Sequence, residues 1–311
     1  MKKFFGITKE NIFFLIVCCS LIFCQSISGK PPAADLILTG NLQSAPAKNI
    51  LAYVGNHNPY SIWIIGGNVF SLKELDKKNI TEKEKEEIWK KNRLFMRSFP
   101  FSNPILSVLG RQDFYPGLHK AVSFTRSLRY GGTFVLDYIG AENNENPYLL
   151  KYVDILVNGK TLRFMGLGAW EKLYPKKKDV LYRKGTGETL QKMGEYMQTL
   201  KKADFTVLLT AQSLKYDKQL AATKQAKEFF DLIISNDPAC PLLLEEKNSI
   251  PVAGSGKELH ELRKIFFNPV KDGIGGPRIQ AWVDEPYKSY YEKIKAKSDK
   301  NKTKTQEKKK K

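Results

Sequence analysis

Phe205-Thr206-Val207-Leu208-Leu209-Thr210-Ala211-Gln212-Ser213, followed after a helical stretch by Leu232-Ile233-Ile234-Ser235-Asn236-Asp237-Pro238-Ala239, decides the fold. Each segment is an apolar run of strand length that ends in small polar residues, and the spacing predicts a helix over 218–230 between them. Strands alternating with helices argue a largely buried central sheet. The same rhythm extends outward. Upstream, Ala34–Thr39, Ser61–Gly67, Ile105–Leu109 and Thr133–Leu136 are short apolar runs, and helices are predicted over 118–128 and 188–200. Helical spacing also runs from Thr81 to Arg97, where Thr81 and Glu84 form a capping box. Tyr148–Leu156 and Thr161–Leu167 flank Asn158-Gly159 and predict a β-hairpin. Downstream, 250–253 and 259–267 predict closing strands. The expected class is α/β, with functional residues in loops just past the strand ends.

Of the 311 residues, 42% are hydrophobic, enough for a sizeable core. The formal charge of +19 is unevenly distributed. Between Lys293 and Lys311, ten Lys stand against Asp299 and Glu307, a net of +8. That segment, 293–311, cannot bury a core and is expected to be a disordered tail. No nucleic-acid-binding motif accompanies the basic charge, so nucleic acid is not an expected partner.

The first residues set an expectation about compartment. Lys2 and Lys3 precede a largely apolar stretch from Ile12 to Phe23, about the length of a signal-peptide core. It ends in Leu21-Ile22-Phe23-Cys24, which resembles the lipobox of bacterial lipoproteins in its looser, spirochaetal form. The resemblance implies cleavage after residue 23, lipid on Cys24 and a tether over 24–33. Leu15-Ile16-Val17-Cys18 is a competing box with a shorter apolar core, and the alternative to either box is an uncleaved anchor or a plain secretory signal. The expected location is the cell envelope, on an outer-membrane or periplasmic face, held to the membrane by N-terminal lipid. Cys240 is the one cysteine outside this leader, so no internal disulfide is expected.

The loops after the strands read, in order, Thr39-Gly40-Asn41-Leu42-Gln43, Gly67-Asn68, Gly110-Arg111-Gln112-Asp113, Leu209-Thr210-Ala211-Gln212 and Ser235-Asn236-Asp237-Pro238-Ala239. In order and spacing they resemble the metal-binding loops of calcineurin-like metallophosphoesterases, above all the catalytic domain of bacterial 5′-nucleotidases, over roughly 34–267. That resemblance implies a four-layer α/β fold, here a single domain over 34–270 followed by an extension over 271–292. In the family these loops carry Asp and His ligands to two metal ions, which clamp phosphate and activate water. The residues here depart from that pattern. Asn41 and Gln43 stand for Asp and His, and Asn68 for the bridging Asp. Arg111 and Gln112 replace Asn and the catalytic His, with the trailing acid kept as Asp113. Ala211 replaces a His, and Asp237 and Ala239 fall at two more.

Replacing carboxylates by amides keeps shape and removes like charges that would repel one another without metal. Arg111 returns one positive charge. The resemblance therefore implies a degenerate site with no metal, no cofactor and no catalytic residue. The pocket of Asn41, Gln43, Asn68, Arg111, Gln112, Asp113, Ala211 and Asp237 could hold a phosphate or nucleotide, or the protein could serve contacts with an envelope or host protein. The alternative is a divergent metal-dependent phosphoesterase or nucleotidase with a rebuilt site using Asp113, Asp237 and His57. The three histidines, His57, His119 and His260, fall outside the matched positions and are expected to be structural. Gly166-Leu167-Gly168 and Gly185-Thr186-Gly187 are expected to be simple turns, since neither completes a phosphate loop.

Overall fold

Apolar runs of three to eight residues become strands wherever both faces can be covered. The computed structural model describes residues 35–39, 61–66, 104–110, 113, 132–142, 147–157, 159–168, 186–256, 261–268 and 278–310, with parts of 81–90 and 122–128. Within these lie β1 (Asp35–Thr39), β2 (Ile62–Ile65), β3 (Ile105–Ser107), β4 (Thr133–Val135), β5 (Tyr152–Val157) and β6 (Lys160–Leu167). They continue with β7 (Phe205–Thr210), β8 (Leu232–Ser235), β9 (Leu243–Leu244), β10 (Val252–Gly254), β11 (Leu262–Asn268) and β12 (Arg278–Val283). The helices are α1 (Tyr138–Glu142), α2 (Thr186–Gln198), α3 (Leu214–Ala221), α4 (Lys224–Phe229) and α5 (Glu285–Lys310).

Two six-stranded sheets form, in the orders β12-β11-β1-β2-β3-β4 and β5-β6-β7-β8-β10-β9. β1 to β4 pair in parallel, as do β6, β7, β8 and β10. Strand alternation sorts the apolar side chains into layers. Leu36, Leu38, Ile62, Ile64 and Leu106 from one sheet meet Phe164, Phe205, Val207, Leu209 and Ile234 from the other in one cluster. The intervening Leu208, Ile233 and Val252 turn outward to Leu190, Met193, Leu220 and Ala226 of the helices. Each such side chain stabilises by roughly 1.5–3 kcal/mol when fully buried. The architecture is therefore α/β in four layers, helices covering two stacked sheets.

Local signals act as the sequence predicts in several places. The Thr81 Oγ1 accepts from Glu84 N at 3.3 Å, and the Glu84 carboxylate accepts from Thr81 N at 2.8 Å, closing the capping box. β5 and β6 pair antiparallel from Val157↔Lys160 outward, with Gly159 at φ 76° in the turn. That hairpin carries a buried cation: Arg163 donates twice to Asp154 at 2.8 Å and once to Lys201 O.

Other expectations change. The helix predicted over 218–230 is two helices, because Ser213 and Thr223 each cap a new start through their hydroxyls. Gly166 is not in a turn: it lies in β6, where a Cβ would strike the Leu136 backbone, so the missing side chain lets β4 and β6 approach. Thr186 and Gly187 open α2. The closing strands were expected at 250–253 and 259–267, and the segment expected as an extension over 271–292 supplies a further strand, β12, which pairs with β11 across six registers. The Lys-rich segment, expected to be disordered, continues as helix α5 to Lys310. Lys, Glu, Gln and Ala are good helix formers, and the helix is seeded by Asp284, whose Oδ1 accepts from Tyr287 N at 3.2 Å, with Tyr287 fully buried. Among the described residues no helix is long and apolar enough to cross a membrane.

Candidate functional site at the strand ends

Parallel strands leave their last carbonyls and following loops on one rim, and here the rims of the two sheets meet. Gly66, just past β2, lies so close to Asn236 and Ser255 that a Cβ on it would collide with Asn236 Oδ1 and Ser255 Oγ. Gly168, just past β6, lies equally close to the Asp137 carboxylate, with Leu109 O nearby. The described ends of β2 and β8 therefore meet at one edge, as do those of β3 and β6.

Asn41, Gln43, Asn68, Arg111 and Gln112 lie outside the described residues, as do Cys24, His57, His119 and His260. Asp113, Ala211 and Asp237 are described. Asp113 is buried and closes its own turn: its Oδ2 accepts from Gly110 N at 2.8 Å, while its N–H donates to Gly110 O at 3.1 Å. Ala211 offers no side-chain ligand, and its N–H donates to Leu167 O. Beside it Gln212 Nε2 donates to Gly168 O at 2.7 Å. Asp237 is tied to backbone on both oxygens. Oδ2 accepts from Leu214 N at the start of α3 at 2.7 Å, and Oδ1 accepts from Ala239 N at 2.8 Å. It thus caps a helix and holds its own loop.

Behind these loops lies a buried polar latch that sequence reasoning missed. Asp217 on α3 is fully buried. Its Oδ1 accepts from Thr210 Oγ1 at 2.8 Å and its Oδ2 from Ser235 Oγ at 2.5 Å. Ser235 Oγ in turn accepts from Asp237 N at 3.2 Å. One carboxylate thereby fixes the ends of β7 and β8 and the first turns of α3. Burial raises its pKa to about 7, against the pull of the two hydroxyl hydrogen bonds, with Asp237 adding to the rise. The available signal was a hydroxyl residue, Thr210 and Ser235, ending each apolar run with an acid four residues past the Ser213 cap.

Two more residues complete the rim. Asn236, buried, accepts from Ser255 Oγ at 3.2 Å and donates through its backbone to Thr210 O. Arg263 donates to Glu261 at 2.5 Å and to Cys240 O and Gly254 O at 3.0 and 3.1 Å, filling the space that a side chain at 254 would take. The Cys240 thiol is pushed up to about 11, chiefly by burial, which makes it a poor nucleophile.

The family's loops hold a metal pair, and among the described residues the matched positions do not supply the donors for one. Asp237 spends both oxygens on backbone N–H groups, Asp113 is turned into its own loop, and Ala211 has nothing to give. The remaining matched positions are amides and an arginine. Among the described residues no group of three or more His, Cys, Asp or Glu comes together in a way that could hold a metal ion.

No protein-family model matches the chain, and no curated protein sequence matches it. Solved structures do. NAD nucleotidase of Haemophilus influenzae superposes with a TM-score of 0.56 at 12% identity, covering 81% of this chain and 55% of that one. The 5′-nucleotidase precursor of Thermus thermophilus gives 0.54 at 13% identity, over 81% and 54%. The calcineurin-like phosphoesterase YfkN of Bacillus subtilis gives 0.50 at 13%, over 82% and 91%. The chain spans about half the length of the two nucleotidases. At such identities the likeness is one of fold: a metallophosphoesterase-like scaffold.

Proposed function

We propose that this protein is a non-catalytic envelope lipoprotein, anchored through lipid on Cys24, that uses a degenerate metallophosphoesterase-like domain for binding. The observation that carries the reading is Asp237. It sits where the family places a metal-binding His, and both its oxygens are committed to the Leu214 and Ala239 amides. The buried turn of Asp113 and the bare Ala211 point the same way. At the other matched positions the sequence carries the amides Asn41, Gln43, Asn68 and Gln112 and the cation Arg111, donors suited to a phosphate or nucleotide held without hydrolysis.

Titration with inorganic phosphate and with a fluorescent nucleotide tests the pocket. Saturable binding that Arg111→Ala weakens at least about tenfold is expected. Absence of binding at millimolar ligand would leave the outer faces, toward an envelope or host protein, as the functional surface. Cys24→Ser should abolish acylation, read as the loss of lipid mass at the mature N-terminus. The competing reading, a metal-dependent phosphoesterase with a rebuilt site, draws on the nucleotidase and phosphoesterase names of the structural neighbours. It requires metal-dependent turnover of a phosphate ester.

A further inference from the structure

Helix α5 contributes none of the candidate site residues. Its base is seated on the domain: Lys264 pairs with Asp284 at 3.0 Å, Tyr287 is buried, and the rings of Tyr287 and Tyr291 lie 6.4 Å apart. Beyond Tyr291 the apolar supply stops at Ile294 and Ala296. What continues is charge. Lys293, Lys297, Lys300, Lys304 and Lys308 recur at intervals of four, three, four and four residues. At about 100° per residue these positions fall within an arc of about 80°, along about 22 Å of helix. That is one lysine position every 5–6 Å or so on a single face. Lys293, Lys297 and Lys300 are exposed. A helix with an apolar stripe would bury it in a core or among acyl chains. This one has none past its base, so what it can bind it binds by charge.

We propose that this lysine face of α5 docks on the negatively charged headgroup surface of a phospholipid bilayer. The longest row of lysine positions on this rod, five against the three of Lys295, Lys302 and Lys309 on the opposite side, fits an extended plane of phosphates. Polybasic segments lying beside anionic membranes associate without insertion, in a salt-dependent way. The proposal shares with the preceding reading the expected envelope location, but it is independent of the cleft, Arg111 and metal. An N-terminal lipid and this helix would hold the domain at two points, fixing which face it turns outward.

Trypsin cleavage of the full chain within 293–310, followed by mass spectrometry, tests this whether or not the leader is in the vesicle. On phosphatidylcholine vesicles containing phosphatidylglycerol, cleavage should slow at least about tenfold relative to pure phosphatidylcholine, and recover in high salt. Replacing Lys293, Lys297, Lys300, Lys304 and Lys308 together by Gln should abolish that protection, read at the remaining Lys295, Lys302 and Lys309. Replacing Lys295, Lys302 and Lys309 by Gln should leave it in place. Equal cleavage on the two vesicle types overturns the proposal. So does protection by a DNA or RNA duplex without protection by anionic vesicles. Loss of phosphate binding in Arg111→Ala with vesicle protection intact would separate the two readings.

Discussion

Asp217, in the first turn of α3, and Asp237, in the loop after β8, lie close together behind and at one rim, and their surroundings put them to different uses. Asp217 faces inward, is fully buried, and joins two strand ends to a helix through hydroxyl groups. Asp237 is only partly buried and is held by the backbone amides of Leu214 and Ala239. The first belongs to the frame that aims the loops, and the second to the loops themselves. The frame can stay intact while the chemistry at its edge changes, because the two depend on different atoms. A frame needs satisfied buried groups, whereas a metal site needs ligand electron pairs left free for the ion.

Breaking the frame should cost most. Asp217→Ala leaves the Thr210 and Ser235 hydroxyls without their acceptor and opens a cavity. A loss of about 3 kcal/mol in unfolding free energy is expected by chemical denaturation. Gly66→Ala forces a methyl group against Asn236 and Ser255 where the two sheets meet, and should cost about 2 kcal/mol. Asp237→Ala removes a helix cap and a loop tie, and about 1 kcal/mol is expected. If Asp237→Ala destabilised as much as Asp217→Ala, the distinction between frame and edge would collapse.

The pH dependence sharpens the same contrast. Burial raises the Asp217 pKa from 3.8 to about 7, so between those values the folded protein holds a proton that the unfolded chain has released. This group's contribution to stability is therefore fully present below 3.8 and declines as pH rises to about 7. The stability difference between wild type and Asp217→Asn should drift across that window in the direction of wild type losing ground. A flat difference would mean that the carboxyl titrates normally.

Much of the scaffold was legible. β7 and β8 announce themselves as apolar runs because both faces of each are covered, and the Asn158-Gly159 turn and the Thr81–Glu84 box are local chemistry that tertiary packing leaves alone. β12 was not legible, because Arg278–Val283 is an edge strand whose mixed composition gains meaning only from pairing with β11. Nor was α5, since Lys-rich composition reads as unstructured until Asp284 and Tyr287 provide its start. For the candidate site, the identities of the residues could be read directly. What Asp237 does in the fold depends on Leu214, twenty-three residues away in sequence, and no local pattern carries that.

The central claim concerns those rim positions, and metal content tests it most directly. The chain would be purified without a histidine tag, equilibrated with zinc, manganese and iron, dialysed, and its metal counted per chain by mass spectrometry. The expected result is close to zero for each metal. One or two tightly held ions per chain, lost on substitution of Asp113 or Asp237, would contradict it and make a rebuilt phosphoesterase site the better reading.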